Sequence, residues 1–186
     1  MELIRPTRKQ LPAYVDALES GWSPDNLRPE AAQEQIDAIS RNADRFLDEL
    51  DDRHAKGEPV ILPDGSRVPR LPGIRRWMWQ DGFCGSIGLR WKPGTEELPS
   101  HCSGHVGYSV VPWRRQQGIA SAALVALLPE ARKTGLRHIE ITTDPDNQAS
   151  IRVIERAGGF LVERFQQDVS LGGGVALRFR INLMFS

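Results

Sequence analysis

The order of segments predicts a mixed α/β fold: a mostly antiparallel sheet with one splayed parallel strand pair, and helices on both faces. Three observations carry this. Short strand-like runs meet at tight turns, Gln80-Asp81-Gly82 and Gly172-Gly173-Gly174, which is the signature of antiparallel hairpins. The stretch from His105 to Val111, an alanine- and leucine-rich helix and the stretch from His138 to Thr143 make a strand–helix–strand step. Such a step sets two strands parallel or locally splayed. Helical patterns also precede the strands, so helices flank the sheet from more than one side.

Taken in order, Leu11 to Leu18 shows helical spacing after Pro12, and Gly21 can stop it. Pro29 opens a longer helical pattern, in which Ala32, Ile36, Ile39, Ala43, Phe46, Leu47 and Leu50 recur at three- and four-residue steps. Residues 51 to 73 are rich in proline, glycine and charge. Within them Val60-Ile61-Leu62 and Ser66-Arg67-Val68 flank Pro63-Asp64-Gly65 as a small hairpin. Strands follow at Arg76 to Trp79, Phe83 to Trp91 and His105 to Val111, the last ended by Pro112. The helix after Gly118 presents Leu124, Leu127, Leu128 and Ala131 on one face, and Pro129 should kink or shorten it. His138 to Thr143 reads as a strand, Ala149 to Ala157 as a helix ended by Gly158-Gly159. Phe160 to Ser170 and Val175 to Leu183 read as a closing hairpin.

The chain has 186 residues, enough for one domain with a real core. Acidic and basic side chains balance at 24 each, which argues against nucleic-acid or membrane-surface binding through bulk charge. No apolar run approaches the ~20 residues that span a bilayer, and the N-terminus lacks a signal-peptide layout. Cys84 and Cys102 are far apart and form no CxxC pair, and the four histidines show no metal spacing. These features point to a cytoplasmic protein with reduced thiols and no bound metal.

The segment from Val110 to Ser121 carries the most chemistry. A β-branched run stops at Pro112, a basic loop with Gly118 follows, and a helix begins. The first amides of a helix lack intrahelical partners and lie at the positive end of its dipole, so they suit a diphosphate. Gly118 and Ala120 keep side chains small there. Rival phosphate motifs fail: there is no G-x-x-x-x-G-K-[ST] and no G-x-G-x-x-G after a first strand. ATP and NAD therefore fit this loop poorly.

Arg115-x-x-Gly118-x-Ala120 matches the (R/Q)-x-x-G-x-(G/A) motif of the GNAT N-acetyltransferase superfamily. Downstream, Asn147-x-x-Ser150 after the strand ending at Thr143 is similar to that family's N-x-x-(A/S) helix. The resemblance covers about residues 75 to 183. The chain also resembles a subgroup described only as predicted acetyltransferases. It implies one GNAT-like domain over residues 1–186, with an acetyl-CoA-binding core at 75–186 and variable acceptor-side helices and hairpin at 1–74. By the same resemblance, Tyr108, Ser109 and Val110 form the strand edge for pantetheine. The backbone of Arg115, Gln116, Gln117, Gly118, Ile119, Ala120 and Ser121 holds the diphosphate. Each charge-assisted bond there is worth about 1.5–3 kcal/mol.

Asn147 has two roles open to it: a contact with pantetheine near the thioester, or the cap of its own helix. Arg114 and Arg115 are phosphate neighbours or solvated surface charges. At one position the chain departs from the family. Many members carry a tyrosine seven residues after the asparagine as the acid for the leaving thiolate, and here that residue is Ile154. Tyr108 and Ser150 are the candidate substitutes, against the alternative that Tyr108 is a packed strand aromatic. For the base, His105 has a suitable ordinary pKa, against a buried structural histidine. Glu96, Glu97, Glu140 and Asp144 are further carboxylates near the expected site. Trp22 either lines the acceptor pocket or packs in the core.

The expected function is transfer of an acetyl group from acetyl-CoA to a primary amine by direct attack in a ternary complex. The acceptor is a small molecule or peptide, and the protein a monomer or homodimer. The competing expectation, sustained by Ile154, is a non-catalytic acyl-CoA-binding or sensor module.

Overall fold

The computed structural model describes residues 1–62, 65–171 and 173–183. Its elements run β1 (Glu2–Ile4), α1 (Leu11–Glu19), α2 (Ala31–Arg41), α3 (Ala43–Glu49), β2 (Asp51–Asp52), β3 (Val60–Ile61), β4 (Arg67–Val68), β5 (Gly73–Trp79), β6 (Phe83–Arg90), β7 (Val106–Val110), α4 (Ile119–Lys133), β8 (His138–Thr143), α5 (Gln148–Arg156), β9 (Phe160–Gln166) and β10 (Val175–Asn182).

The main sheet has the order β1-β5-β6-β7, with β2 also paired to β5. A second sheet has the order β8-β10-β9, and β3 pairs with β4. Every ladder among the described residues is antiparallel. The two strands of the strand–helix–strand step, β7 and β8, share no ladder. They are tied at one end by His105. Its amide donates to the Glu140 carbonyl at 2.8 Å, and its Nδ1 accepts from the Glu140 amide at 3.0 Å. Gly104 permits this approach, since a Cβ there would lie 2.9 Å from the Glu140 oxygen and 3.3 Å from the Thr142 nitrogen. Beyond the tie a cleft of about 1750 Å³ is lined by both strands.

Alternation along β5 sends neighbouring side chains to opposite faces. Met78 joins Ile87, Leu89, Leu124, Leu127 and Ile139 in the core under α4. Trp77 joins Tyr14, Leu18, Trp22, Phe46 and Phe83 under α1 to α3. There the Tyr14 and Trp77 rings stack at 4.4 Å. Helices thus cover both faces of the main sheet.

Several expectations need correction. The long helical pattern after Pro29 is two helices. Asn42 adopts an extended φ of −163° between them, and its side chain accepts from the Arg45 amide at 3.0 Å to cap α3. Pro129 does not end α4, which continues to Lys133. The Val125 carbonyl lacks its intrahelical donor, on a side of the helix where Val125 is itself exposed. The strands β1 and β2 had no sequence expectation, being two or three residues long. The β3–β4 hairpin forms as expected, although Pro63 and Asp64 at its turn lie outside the described residues, as does Gly172 in the last turn.

Candidate active site

The loop before α4 has an unusual backbone. Gln116 and Gly118 both have positive φ, 61° and 75°. Glycine takes such a value freely, whereas Gln116 holds it at a steric penalty. Positive φ alternating with ordinary φ turns successive amides into one concavity, a nest for anions. The first amide of the region with a backbone acceptor is that of Ala122, which donates to the Gly118 carbonyl at 3.0 Å. Among the described residues, the six amides from Gln116 to Ser121 donate to no protein acceptor. Gly118 is needed here for its conformation rather than for room, because a Cβ there would meet nothing within 4 Å.

The two arginines beside the loop are already engaged. Arg115 Nε donates to the Val110 carbonyl at 3.2 Å, and Arg114 Nη2 donates to the Gln80 carbonyl at 3.1 Å. Arg115 therefore bridges the loop to the edge of β7.

The β7 ladder is bracketed by Arg90 N to His105 O at 2.8 Å and Val111 N to Cys84 O at 3.0 Å. Odd-numbered residues of β7 thus direct their backbone groups to β6, and Tyr108 and Val110 direct theirs to the cleft. Ser109, expected on the cofactor edge, faces the other way. Its hydroxyl accepts from Trp22 Nε1 at 2.9 Å and donates to the Ser23 carbonyl at 3.1 Å. Trp22 is accordingly a packed residue, buried edge-on against Tyr14 and Phe83. The Tyr108 carbonyl accepts from Asn26 Nδ2 at 3.0 Å, a contact with no sequence signal.

From the opposite wall, α5 presents Asn147 and Ser150. Asn147 takes the capping role, its Oδ1 accepting from the Ser150 amide at 3.0 Å. Asn147 also lines the cleft at the helix start. Ser150 Oγ lies 2.7 Å from Tyr108 Oη, so the two hydroxyls close the narrow part of the cleft between β7 and α5. Burial pushes the Tyr108 phenol above its ordinary range, partly offset by the bond to Ser150. Ile154 is fully buried in the core under α4, one turn beyond Ser150. The position of the family's usual tyrosine therefore serves packing here.

The expected bases fare differently. His105 is fully buried and spends Nδ1 on Glu140, and burial lowers its pKa to about 4. Its Nε2 has no partner among the described residues. This is a structural histidine joining two sheets, which corrects the expectation of a base. Glu96 is held by Arg137 through side-chain and amide bonds that lower its pKa to about 2. Glu140 pairs with Arg180 at 2.7 Å. Asp144 and His101 do line the cleft.

A family model for the acetyltransferase (GNAT) domain matches residues 3–159. The chain belongs to the GNAT acetyltransferase family. Solved GNAT structures share its fold along nearly the whole length. RimL, a ribosomal L7/L12 alpha-N-protein acetyltransferase solved with coenzyme A, is 16% identical, with a TM-score of 0.63 over 97% of this chain and 92% of its own. The microcin C7 self-immunity acetyltransferase MccE, solved with acetyl-CoA and AMP, is 13% identical, with a TM-score of 0.61 over 97% and 91%. An acetyltransferase from Agrobacterium tumefaciens C58 is 21% identical, with a TM-score of 0.56 over 97% and 89%. No curated protein matches the chain. Within this GNAT acetyltransferase no helix of the described residues is long and apolar enough to cross a membrane. The described residues also hold no group of three potential metal ligands.

Proposed function

We propose that this GNAT acetyltransferase binds acetyl-CoA in the cleft between β7 and α5 and transfers the acetyl group to a primary amine by direct attack. The observation that carries the reading is the nest of six unpaired amides from Gln116 to Ser121, continuous through one cleft with the Tyr108–Ser150 hydroxyl pair. The amides and the Arg115 guanidinium suit the diphosphate. The cleft-facing amides of Tyr108 and Val110, whose carbonyls already accept from Asn26 and Arg115, suit pantetheine together with the side-chain amide of Asn147.

In this reading the amine nitrogen attacks the thioester carbonyl carbon, the C–S bond breaks, and the thiolate takes a proton from Ser150 Oγ. Tyr108 replaces that proton and regains its own from solvent, which receives the amine's; burial favours the protonated phenol. With His105 and Glu96 committed to structural bonds, the amine loses its proton to solvent before or during attack. The acceptor is a small-molecule or peptide amine, met in the cytoplasm, where the protein works as a monomer or homodimer without metal. Residues 1–74 supply the acceptor side and residues 75–186 the acetyl-CoA side of one domain.

A thermal-shift series tests the cofactor half. A ligand at 100 times its Kd stabilises by ~2.7 kcal/mol, which is roughly 5–10 °C for a chain of this size. Coenzyme A should give that shift in the wild type and little in a folded Gly118→Glu variant. No shift at saturating coenzyme A rules the reading out. A shift without transfer to any amine of a broad panel favours the non-catalytic acyl-CoA-binding module.

A further inference from the structure

Among the guanidinium groups that line the cleft, two stand on neighbouring strands of the main sheet and form no ion pair within the described residues. Arg75 on β5 and Arg90 on β6 stand on the same sheet face as Trp77, which the alternation of β5 and its register with β6 require. Between and beside them the sheet carries glycine: Gly73 pairs with Arg90, and Gly88 pairs with both Arg75 and Gly107. A Cβ on Gly88 would lie 3.8 Å from Arg75 Nη2, and one on Gly107 would lie 3.8 Å from Arg90 Nη2. The two cationic heads thus lie over a floor without side chains, and this floor lines the cleft next to Tyr108.

The charge there is not neutralised from within. Arg75 donates to Ser86 Oγ at 3.3 Å and makes no ion pair among the described residues. The Arg90 guanidinium makes neither a hydrogen bond nor an ion pair among them, and its charge adds to that of Arg75. The carboxylates of the same wall are held elsewhere. Glu34 pairs with Arg28, and Glu49 pairs with Arg45 at 2.8 Å. Asp52 accepts from the Lys56 and Gly57 amides at 2.8 Å. Asp25, whose charge reaches Arg75, accepts from the Leu27 amide at 2.9 Å. Arg75 is half-buried and Arg90 exposed; a partly desolvated guanidinium without a counter-ion is unfavourable, and the planar fork of both matches carboxylate and phosphate oxygens.

We propose that the acceptor amine carries an anionic group, a carboxylate or a phosphate, which docks on Arg75 and Arg90 over the floor of Gly73, Gly88 and Gly107. The proposal rests on the reading that acetyl-CoA fills the other half of the same cleft. Gly107 and Tyr108 are neighbours on β7, whose free edge borders the cleft, and the Tyr108 side chain lies on the opposite sheet face, so the amine end of an acceptor anchored there reaches Tyr108 and Ser150 around that edge.

Calorimetric titration of the coenzyme A-loaded full-length protein tests this with matched amines. The pairs are 4-aminobutyrate against 4-aminobutanol, and 2-aminoethyl phosphate against 2-aminoethanol; the two pairs separate carboxylate from phosphate. At least one anionic member should bind about tenfold or more tightly than its neutral twin. Arg90→Gln, at an exposed position where the guanidinium has no partner among the described residues, should abolish most of that preference, and Arg75→Gln should do the same. Coenzyme A affinity should stay within about twofold of wild type in both. The proposal is overturned if the anions bind no better than their twins, or if Arg90→Gln keeps the preference. It is also overturned if the variants weaken coenzyme A instead, which would assign the arginines to the cofactor. A wild-type protein that binds no coenzyme A fails the underlying acetyl-CoA reading, a result separate from an anion-blind acceptor half.

Discussion

Tyr108 and Ser150 come from segments 42 positions apart and meet at 2.7 Å. Each was legible as a residue type, but their contact depends on how β7 and α5 converge, which no local pattern encodes. If the pair delivers the proton to the leaving thiolate, Ser150→Ala should lower kcat about 10²-fold with little change in KM, read by thiol release. Tyr108→Phe should act in the same direction, and the double variant should be little slower than the slower single one. An additive loss would mean that the two hydroxyls act separately. His105 shows the opposite outcome, a residue type suited to catalysis that the fold uses for structure. Its folded pKa of about 4 lies below the ordinary 6.5, so the unfolded chain binds the extra proton between those values. Stability should be full above pH 6.5 and fall as pH drops toward 4, by roughly 3 kcal/mol. His105→Asn retains an acceptor for the Glu140 amide and should flatten that dependence in urea titrations across pH 4–7. A variant with the wild-type pH slope would show that the titration belongs elsewhere.

At the scale of elements, the strand–loop–helix from β7 into α4 was the most legible part of the chain. Pro112, Gly118 and the alanine-rich start of α4 are local signals with local causes. The cap of α5 was legible in kind, since Asn147 suits both a cap and a ligand contact, and the structure realises the cap. Asn147→Ala should lose about 1 kcal/mol of stability, and Asn147→Ser should lose much less because serine also caps. Both should weaken coenzyme A if the side-chain amide reaches pantetheine. Calorimetric Kd and urea midpoints measured on both variants separate the two roles. The split between α2 and α3 was hidden because the apolar spacing continues through Asn42, while the break is made by its backbone and cap. Gly104 was also silent in the sequence, since its importance comes from the distant Glu140 backbone.

For the whole molecule, the N-terminal part is built into the main sheet. β1 and β2 both pair with β5. A half-buried cluster joins β2 to β5 and α4: Asp51 binds Arg53 at 2.8 Å and Arg76 at 3.0 Å, and Arg53 binds Glu130 at 2.9 Å. These links cross the boundary near residue 74 that the resemblance implied, and strands this short leave no periodic signal. Thermal unfolding should therefore be one transition, with calorimetric and van't Hoff enthalpies in agreement. Two separate transitions, or a folded 75–186 fragment, would contradict that account. The central claim is that one cleft holds coenzyme A by the backbone nest and directs its sulfur to the hydroxyl pair. A crystal structure with coenzyme A tests it most directly. The account predicts diphosphate oxygens within about 3.2 Å of amides between Gln116 and Ser121, and the sulfur beside Ser150 Oγ. A diphosphate bound away from that loop, or a sulfur remote from Tyr108 and Ser150, would contradict it.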